Sequence, residues 1–222
     1  MDIVVGRVLA QLEPVDLEHE GENWQKRKSA QTRVVILEAA IDCLEKHGYA
    51  HTTTQLIAEI AGVSRGAMLH HYPTRHELID SVIGYTVFRR MEVLITRLRA
   101  LSDVDRIENM VGLELYWESL LTREFSAYLE LLIASRTDAE LAETFLPTAR
   151  RFNRIELDEV IHVFPEWEAE PIAYSVAVNY LVSSMQGLLI NKPLFDDSQI
   201  TRIRQIIARN IADLLPPAKN QS

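Results

Sequence analysis

Residues 52–72 read Thr52-Thr53-Thr54-Gln55-Leu56-Ile57-Ala58-Glu59-Ile60-Ala61-Gly62-Val63-Ser64-Arg65-Gly66-Ala67-Met68-Leu69-His70-His71-Tyr72. Two short helices are predicted here, about Thr53 to Ala61 and Ser64 to His71, crossing steeply over a tight turn. Close crossing demands a small side chain on the first helix, and Ala58 supplies it. The turn demands a residue tolerant of positive φ, and Gly62 supplies that. Ile57, Ala61, Val63 and Met68 are then expected on the inner face. Ser64 is placed to cap the second helix and leave its first turn open toward a ligand. Arg65, Ala67 and His70 face outward, in the arrangement by which a second helix enters the DNA major groove and its first residues meet base edges.

The flanks extend the pattern. Pro73 stops the second helix, and Thr74-Arg75-His76-Glu77 has capping-box spacing for a long helix to about Leu101. Upstream, Val34, Leu37, Ile41 and Leu44 mark one stripe of a helix from about Gln31 to His47, with Gly48 suited to its left-handed end. Downstream, helices are expected from Asp103 to about Leu121 and from Thr122 to about Ala134. A further segment starts at the box Thr137-Asp138-Ala139-Glu140 and runs to about Val163, with Pro147 expected to kink or split it. Helices over 172–190 and from Asp196-Asp197-Ser198 follow. The last carries Ile200, Ile203, Ile207, Ile211 and Leu214 in one stripe and ends at Pro216-Pro217. No alternating strand pattern competes.

The fold class is therefore all-α: an N-terminal three-helix helix-turn-helix DNA-binding domain joined by a long helix to a C-terminal helical ligand-binding and dimerisation domain. The divisions expected are an acidic extension over 1–25, the helix-turn-helix domain over 26–80, and the helical remainder over 81–222.

Composition bounds the function. The chain has 222 residues, 47% hydrophobic and 25% charged, as in an ordinary globular protein. A net charge of −9 argues against a polyanion partner, but the average hides a reversal. Residues 1–24 carry one Arg and six acids; residues 25–99 carry eleven Lys/Arg and seven acids; the rest carries eleven basic and nineteen acidic residues. Only the middle segment favours phosphates, and it holds the motif. A single cysteine, Cys43, excludes an internal disulfide and a multi-cysteine metal site. It is read as a packing residue in a reducing cytoplasm, with a redox sensor as the alternative. Asp2 and Arg7 interrupt any secretory leader. The stretch 171–191 lacks charge but holds Asn179, Ser183, Ser184, Gln186 and Gly187, so it is read as a helix buried in protein and not in a membrane.

Candidate DNA contacts follow from this geometry. Arg65 is placed to pair with guanine or with phosphate. Thr52, Thr53 and Thr54 offer hydroxyls and helix-start amides to the backbone, and Gln55 follows them on the first helix. Ser64, Gly66, Ala67, His70, His71 and Tyr72 complete the second helix and its end. Arg75 is placed to hold a flanking phosphate. Lys26-Arg27-Lys28, ahead of the first helix, are expected along phosphates or a minor groove.

Taken together, Gly48, Thr52-Thr53, Ile57-Ala58-Glu59, Ala61-Gly62-Val63-Ser64-Arg65-Gly66, His71-Tyr72-Pro73 and Glu77-Leu78 resemble the N-terminal DNA-binding domain of the TetR/AcrR family of bacterial transcriptional regulators. The resemblance covers about residues 30–80. It implies a homodimer, a ligand-sensing C-terminal domain and, usually, repression of nearby genes. The chain departs from the pattern at Leu69, where Tyr is frequent, at Ala67, where Thr or Ser is common, and at Arg75, where Lys is frequent. The first two remove hydroxyls that reach phosphates; the third keeps the charge.

The remaining expectations concern the C-terminal half. A charge-free helix needs cover on most sides, and Ala173, Ala177, Ser184 and Gly187 allow close approach. Helices 172–190 and 198–215 are expected to pair with their symmetry mates in a four-helix interface, the alternative being a monomer with 172–190 as its core helix. Aromatic residues gather between the two ends. Tyr116, Trp117, Phe125, Tyr128, Phe145, Phe152 and Tyr174 are candidates to line a pocket for a small apolar or aromatic effector, with plain core as the alternative; Phe164, Trp167 and Tyr180 share the region. No cofactor, metal or catalytic residue is expected. Glu159-Val160-Ile161-His162 has helical Glu-x-x-His spacing but no second copy, so a helical ligand-binding or metal-dependent enzyme is the runner-up. Cytoplasmic location and a double-stranded DNA operator complete the reading.

Overall fold

The computed structural model describes residues 24–99, 109–161 and 170–214. Among the described residues there are nine α-helices and no strand. They are α1 (Trp24–His51), α2 (Thr54–Ile60), α3 (Arg65–His71), α4 (Arg75–Arg99), α5 (Asn109–Leu120), α6 (Arg123–Ala134), α7 (Ala139–Val160), α8 (Pro171–Asn191) and α9 (Asp197–Leu214), with a 3-10 turn at Lys192–Leu194. The all-α class holds. Residues 1–23, the expected helix start at 103–108, Phe164, Trp167 and Pro216-Pro217 lie outside the described residues.

Helix starts follow their side-chain caps, because the first-turn amides lack partners within the helix. Thr53 Oγ1 accepts from Leu56 N at 3.2 Å, Ser64 Oγ from Ala67 N at 3.1 Å, and Thr74 Oγ1 from Glu77 N at 3.1 Å. Thr122 Oγ1 accepts from Phe125 N at 3.3 Å. Asp196 Oδ1 accepts from Gln199 N at 2.9 Å while Asp196 N donates to Gln199 Oε1 at 3.0 Å, a reciprocal box. Bonds from the Ser198 hydroxyl and the Gln199 amide hold the Asp196 carboxyl below its ordinary range.

Three expectations are corrected. Helix α1 begins at Trp24, ahead of Gln31, so Lys26-Arg27-Lys28 lie within it. Its N-terminal turns are polar and show no stripe, but Arg33 donates to Ser29 Oγ at 3.1 Å and Lys28 Nζ sits 5.2 Å above the Trp24 ring. At α7 the cap is Asp138, whose Oδ1 accepts from Leu141 N at 2.9 Å; Thr137 turns back and donates to Ala134 O at 3.4 Å. Pro147 does not split α7, which runs on as one helix. Leu141, Phe145, Ala149 and Phe152 are all buried at helical spacing, so packing on both sides of the proline offsets the missing amide bond.

The chain divides into two compact units. Of the described residues, one comprises 24–93 and 121–153, thus α1 to α3, most of α4, α6 and the first part of α7. Its core holds Ile36, Leu37, Ile41, Leu44, Ile57, Met68, Leu78, Ile83, Met91, Phe125 and Phe145, all fully buried. Arg123 at the head of α6 ties it to α1: Nη1 donates to Asp42 Oδ1 at 2.6 Å, Nη2 pairs with Glu38, and Nε lies 3.2 Å from Glu124 Oε1. Burial works against that charge, but the three carboxylates outweigh it and raise its pKa. Tyr85 of α4 donates to the same Glu38; burial and that carboxylate push its phenol up. Cys43 is buried in this core. Burial and the neighbouring Asp42 push its thiol up to about 11, which leaves it protonated at neutral pH and suits packing better than redox sensing.

The other unit comprises the described residues 94–99, 109–120, 154–161 and 170–214, thus α5, α8, α9 and the ends of α4 and α7. Leu113, Tyr116, Trp117 and Leu120 of α5 are buried. Gln186 Nε2 donates to Tyr116 Oη at 3.4 Å, and Arg204 pairs with Glu114 while its guanidinium lies 5.1 Å from the Trp117 ring centre. Tyr174 and Ala177 form a separate apolar cluster with Leu157, Ile161, Ala173, Val178 and Ile211.

The expectation that 171–191 is buried inside the protein needs correction for the single chain. Of α8, only Tyr174, Ala177, Met185 and Leu188 are buried, while Ile172, Val176 and Ile190 are exposed. The helix with its 3-10 extension, Pro171–Leu194, is long and apolar enough to cross a membrane by length and composition. Its polar residues and the packing of its buried side against α9 and α7 residues are those of a helix in a protein bundle.

Candidate nucleic-acid interface

Helices α2 and α3 meet over a turn whose backbone is fixed residue by residue. Gly62 takes φ +65° with open space where a Cβ would stand, so conformation and not crowding selects glycine. Val63 N closes the turn on Ala58 O at 3.0 Å. Ile57, Ala58 and Met68 are buried between the helices, while Ala61 and Val63 are only partly covered. The outer side of α3 is left to solvent: Ser64, Arg65, Gly66, Leu69 and His70 are exposed, and Ala67 and His71 are half-buried.

His70 and His71 close the helix edge to face, with ring centres 5.3 Å apart. Burial, then the nearby Arg33 and His70, hold the His71 imidazole below its usual value. Its neutral form is favoured in the fold, so its contribution to stability is full above the ordinary histidine value and is lost as pH falls through the lowered one.

Arg75 stands at the head of α4, exposed. Its guanidinium lies 4.9 Å from the Tyr49 ring centre, and Nη1 donates to Tyr49 Oη at 3.2 Å. Tyr49 N in turn donates to Glu130 Oε2 of α6 at 3.2 Å. Gly48, at φ +72°, permits this: a Cβ there would meet Glu130 Oε2 at 3.2 Å, on top of the strain of that φ. The Arg75 charge is thus aimed by its neighbours.

Arg27 and Lys28 line an open groove of about 520 Å³ with Trp24, Gln31, Thr32, Val35 and the turn residue Val63. Two cations of α1 therefore stand beside the α2–α3 turn; Lys26 belongs to the same helix. Thr53, Gln55 and partly Thr54 remain on the surface. Thr52 and Tyr72 do not. They are 2% and 3% exposed, and Thr52 Oγ1 donates to Gly48 O at 2.8 Å. Buried side chains cannot reach a duplex, so both are corrected from DNA contacts to parts of the scaffold.

The aromatic residues expected to line one pocket fall into separate groups. Phe125, Tyr128, Phe145 and Phe152 stand together in the unit that carries α2 and α3, with ring centres 5.5–6.4 Å apart around Tyr128. Tyr116, Trp117 and Tyr174 belong to the other unit. Sequence reasoning missed Arg90, which lies over three of the first group. The signal was there: Arg90 occupies the apolar register of α4 set by Ile79, Ile83 and Val87. The side chains of Glu159 and His162 lie outside the described residues.

The Ser64 cap offers a local check. Ser64→Ala should cost about 1 kcal/mol by leaving the Ala67 amide without its side-chain acceptor, read as a lower urea midpoint with an unchanged slope.

Comparison with known proteins agrees with this geometry. Residues 36–82 match the family described as bacterial regulatory proteins, tetR family. An uncharacterised HTH-type transcriptional regulator of Mycobacterium bovis is 24% identical over 181 residues, 81% of this chain and 92% of that protein. The HTH-type transcriptional regulator CymR of Pseudomonas putida is 30% identical over 136 residues, 61% of this chain and 66% of CymR. Among solved structures, a TetR-family member of Streptomyces coelicolor superposes with a TM-score of 0.63 at 17% identity, covering 84% of this chain and 99% of that one. With a helix-turn-helix of this construction and these relatives, the chain belongs to the TetR family and is a DNA-binding transcriptional regulator.

Proposed function

We propose that the protein is a cytoplasmic, ligand-responsive repressor that binds a palindromic operator as a homodimer, with α3 in the major groove. The observation that carries this is the exposed face of α3: Arg65, Gly66 and His70 project from a helix whose other side is buried on α2. Arg65 is the base reader or a phosphate anchor. Thr53, Thr54, Gln55, Ser64 and Arg75 hold the backbone, with Ala67 and His71 at the helix edge. Arg27 and Lys28 extend the positive surface, and the side chain of Lys26, proposed with them, lies outside the described residues. The helix-turn-helix domain over 26–80 is the reading part, and 81–222 senses and dimerises.

The homodimer reading draws on α8 and α9. Ile172, Val176 and Ile190 on α8, Leu194 on the 3-10 turn after it, and Ile206 and Leu214 on α9 are exposed in a single chain. Large apolar faces of this kind are covered in stable proteins, and a twofold copy covers them symmetrically. Light scattering at micromolar concentration should give twice the mass of 25.4 kDa; monomer alone would remove the dimer.

Release of DNA is a population shift. A small apolar or aromatic effector that prefers one position of α4 moves the two α3 helices off the operator spacing. Helix α4 is suited to this, because its head carries Arg75 and its body carries Tyr85, Arg89 and Arg90 against α1, α6 and α7.

Selection from a random pool of duplexes tests the reading. A palindromic duplex should emerge, and Arg65→Ala should weaken its binding by about 1–3 kcal/mol if the guanidinium holds a guanine. No enriched duplex would overturn the regulator reading for this chain; enrichment with unchanged Arg65→Ala affinity would remove Arg65 as reader.

A further inference from the structure

Helix α4 places two polar groups on one buried face. Arg90 is 6% exposed and Thr86 is 0% exposed. They are four residues apart, one above the other on a helix. The other arginines of this region are about a third exposed and are met by carboxylates: Arg89 by Glu38 and Glu92, Arg123 by Glu38, Asp42 and Glu124. Arg90 is more buried than either and has no carboxylate or carbonyl acceptor among the described residues. It is surrounded by π-faces, its guanidinium lying 4.9 Å from the Phe125 ring centre, 4.7 Å from Tyr128 and 5.2 Å from Phe152. The Thr86 hydroxyl also has no hydrogen-bond partner among the described residues, although a helical threonine commonly bonds the carbonyl one turn back.

Ring faces attract a guanidinium but accept none of its N–H bonds in the plane of the fork. A planar carboxylate does, with two parallel bonds. A hydroxyl one turn away on the same face adds a donor to the same anion. The rings of Phe125, Tyr128 and Phe152 offer apolar surface to the rest of such a molecule. All five residues belong to one compact unit, which also contains α2 and α3.

We propose that Arg90 and Thr86, with Phe125, Tyr128 and Phe152, form the recognition centre for an organic-acid effector, its carboxylate on Arg90 and its apolar body against the rings. This narrows the sensing reading above and rests on it. Helix α6 brings Phe125 and Tyr128 to Arg90, and the same helix grips α1 through Arg123 and the Tyr49 amide through Glu130. An acid drawing on Arg90 therefore acts on the helix that aims Arg75.

Three acid–amide pairs of equal shape test it: benzoate and benzamide, 2-naphthoate and 2-naphthamide, octanoate and octanamide. Binding to the full chain is read by calorimetry and thermal shift, without DNA. At least one acid should bind ten times or more tighter than its amide. Arg90→Gln should bring that ratio close to one. Arg90→Lys should keep part of it, and Thr86→Val should weaken the acid several-fold without helping the amide. Should Arg90→Gln not fold, the Lys and Val variants carry the test. Equal binding of acid and amide, a ratio unmoved by these variants, or no binding by any of the three acids at millimolar concentration overturns the proposal. The selected duplex separates the two levels. A neutral compound that releases it while acids do not removes the organic acid and leaves the ligand-responsive regulator standing.

Discussion

Phe125→Ala is expected to lower the free energy of unfolding by about 3–5 kcal/mol, the range for deleting a fully buried aromatic side chain. Phe125 of α6 has no exposed surface: its ring is 6.1 Å from Tyr128 and lies under the Arg90 guanidinium of α4. The loss has two parts. The cavity costs transfer energy and packing, and the Arg90 charge loses one of the three faces over which it is buried. Chemical denaturation should show the midpoint falling with little change in slope. For a chain of this size the melting temperature should drop by about 6–20 °C. A change under about 1 kcal/mol would mean that the core does not close on this ring.

The second large effect is on DNA. Affinity for the selected duplex should fall about 10³-fold or more between 50 and 200 mM salt, as expected when about six or more phosphates are contacted. The chain as a whole is acidic, and only residues 25–99 carry excess positive charge. On the proposed reading, binding depends on few cations held close to the duplex: Arg75, aimed by Tyr49, and Arg27 and Lys28 beside the Val63 turn. Doubling that set in a dimer reaches the required number. Arg75→Ala should reduce the slope of log affinity against log salt by about one for each phosphate released from its arginine, hence about two per dimer. A nearly flat salt profile would remove the phosphate-bound mode.

How much of this was legible in the chain depended on the kind of signal. The caps Thr53, Ser64, Thr74 and Thr122, and the positive φ of Gly48 and Gly62, were readable because each rests on one residue satisfying a local backbone demand. The true start of α1 was not, because Trp24 to Ser29 form helical turns without an apolar stripe. The α7 cap fell one residue away from the expected one: Thr137 has the box spacing with Glu140, but Asp138 is an equally good capping type and takes the Leu141 amide. Pro147 does not split α7 because the stripe on either side of it outweighs one missing bond.

The candidate DNA contacts divide in the same way. Helical phase alone puts Arg65 and His70 on the outer side of α3, as found, whereas Ala67, expected beside them, is half-buried. Thr52 and Tyr72 were misjudged because their polar atoms suggest the surface, whereas the turns on either side fold them inward. Arg90 went unread because a charged residue in an apolar register looks like an interruption until three rings from other helices are seen around it.

The central claim is that two copies of α3 read duplex DNA from a twofold assembly. Hydroxyl-radical footprinting of the selected duplex tests it most directly. The account predicts two protected patches on one face of the DNA, related by a dyad and centred a whole number of helical turns apart, with their major grooves occupied. A single patch, or two without dyad symmetry, would contradict it.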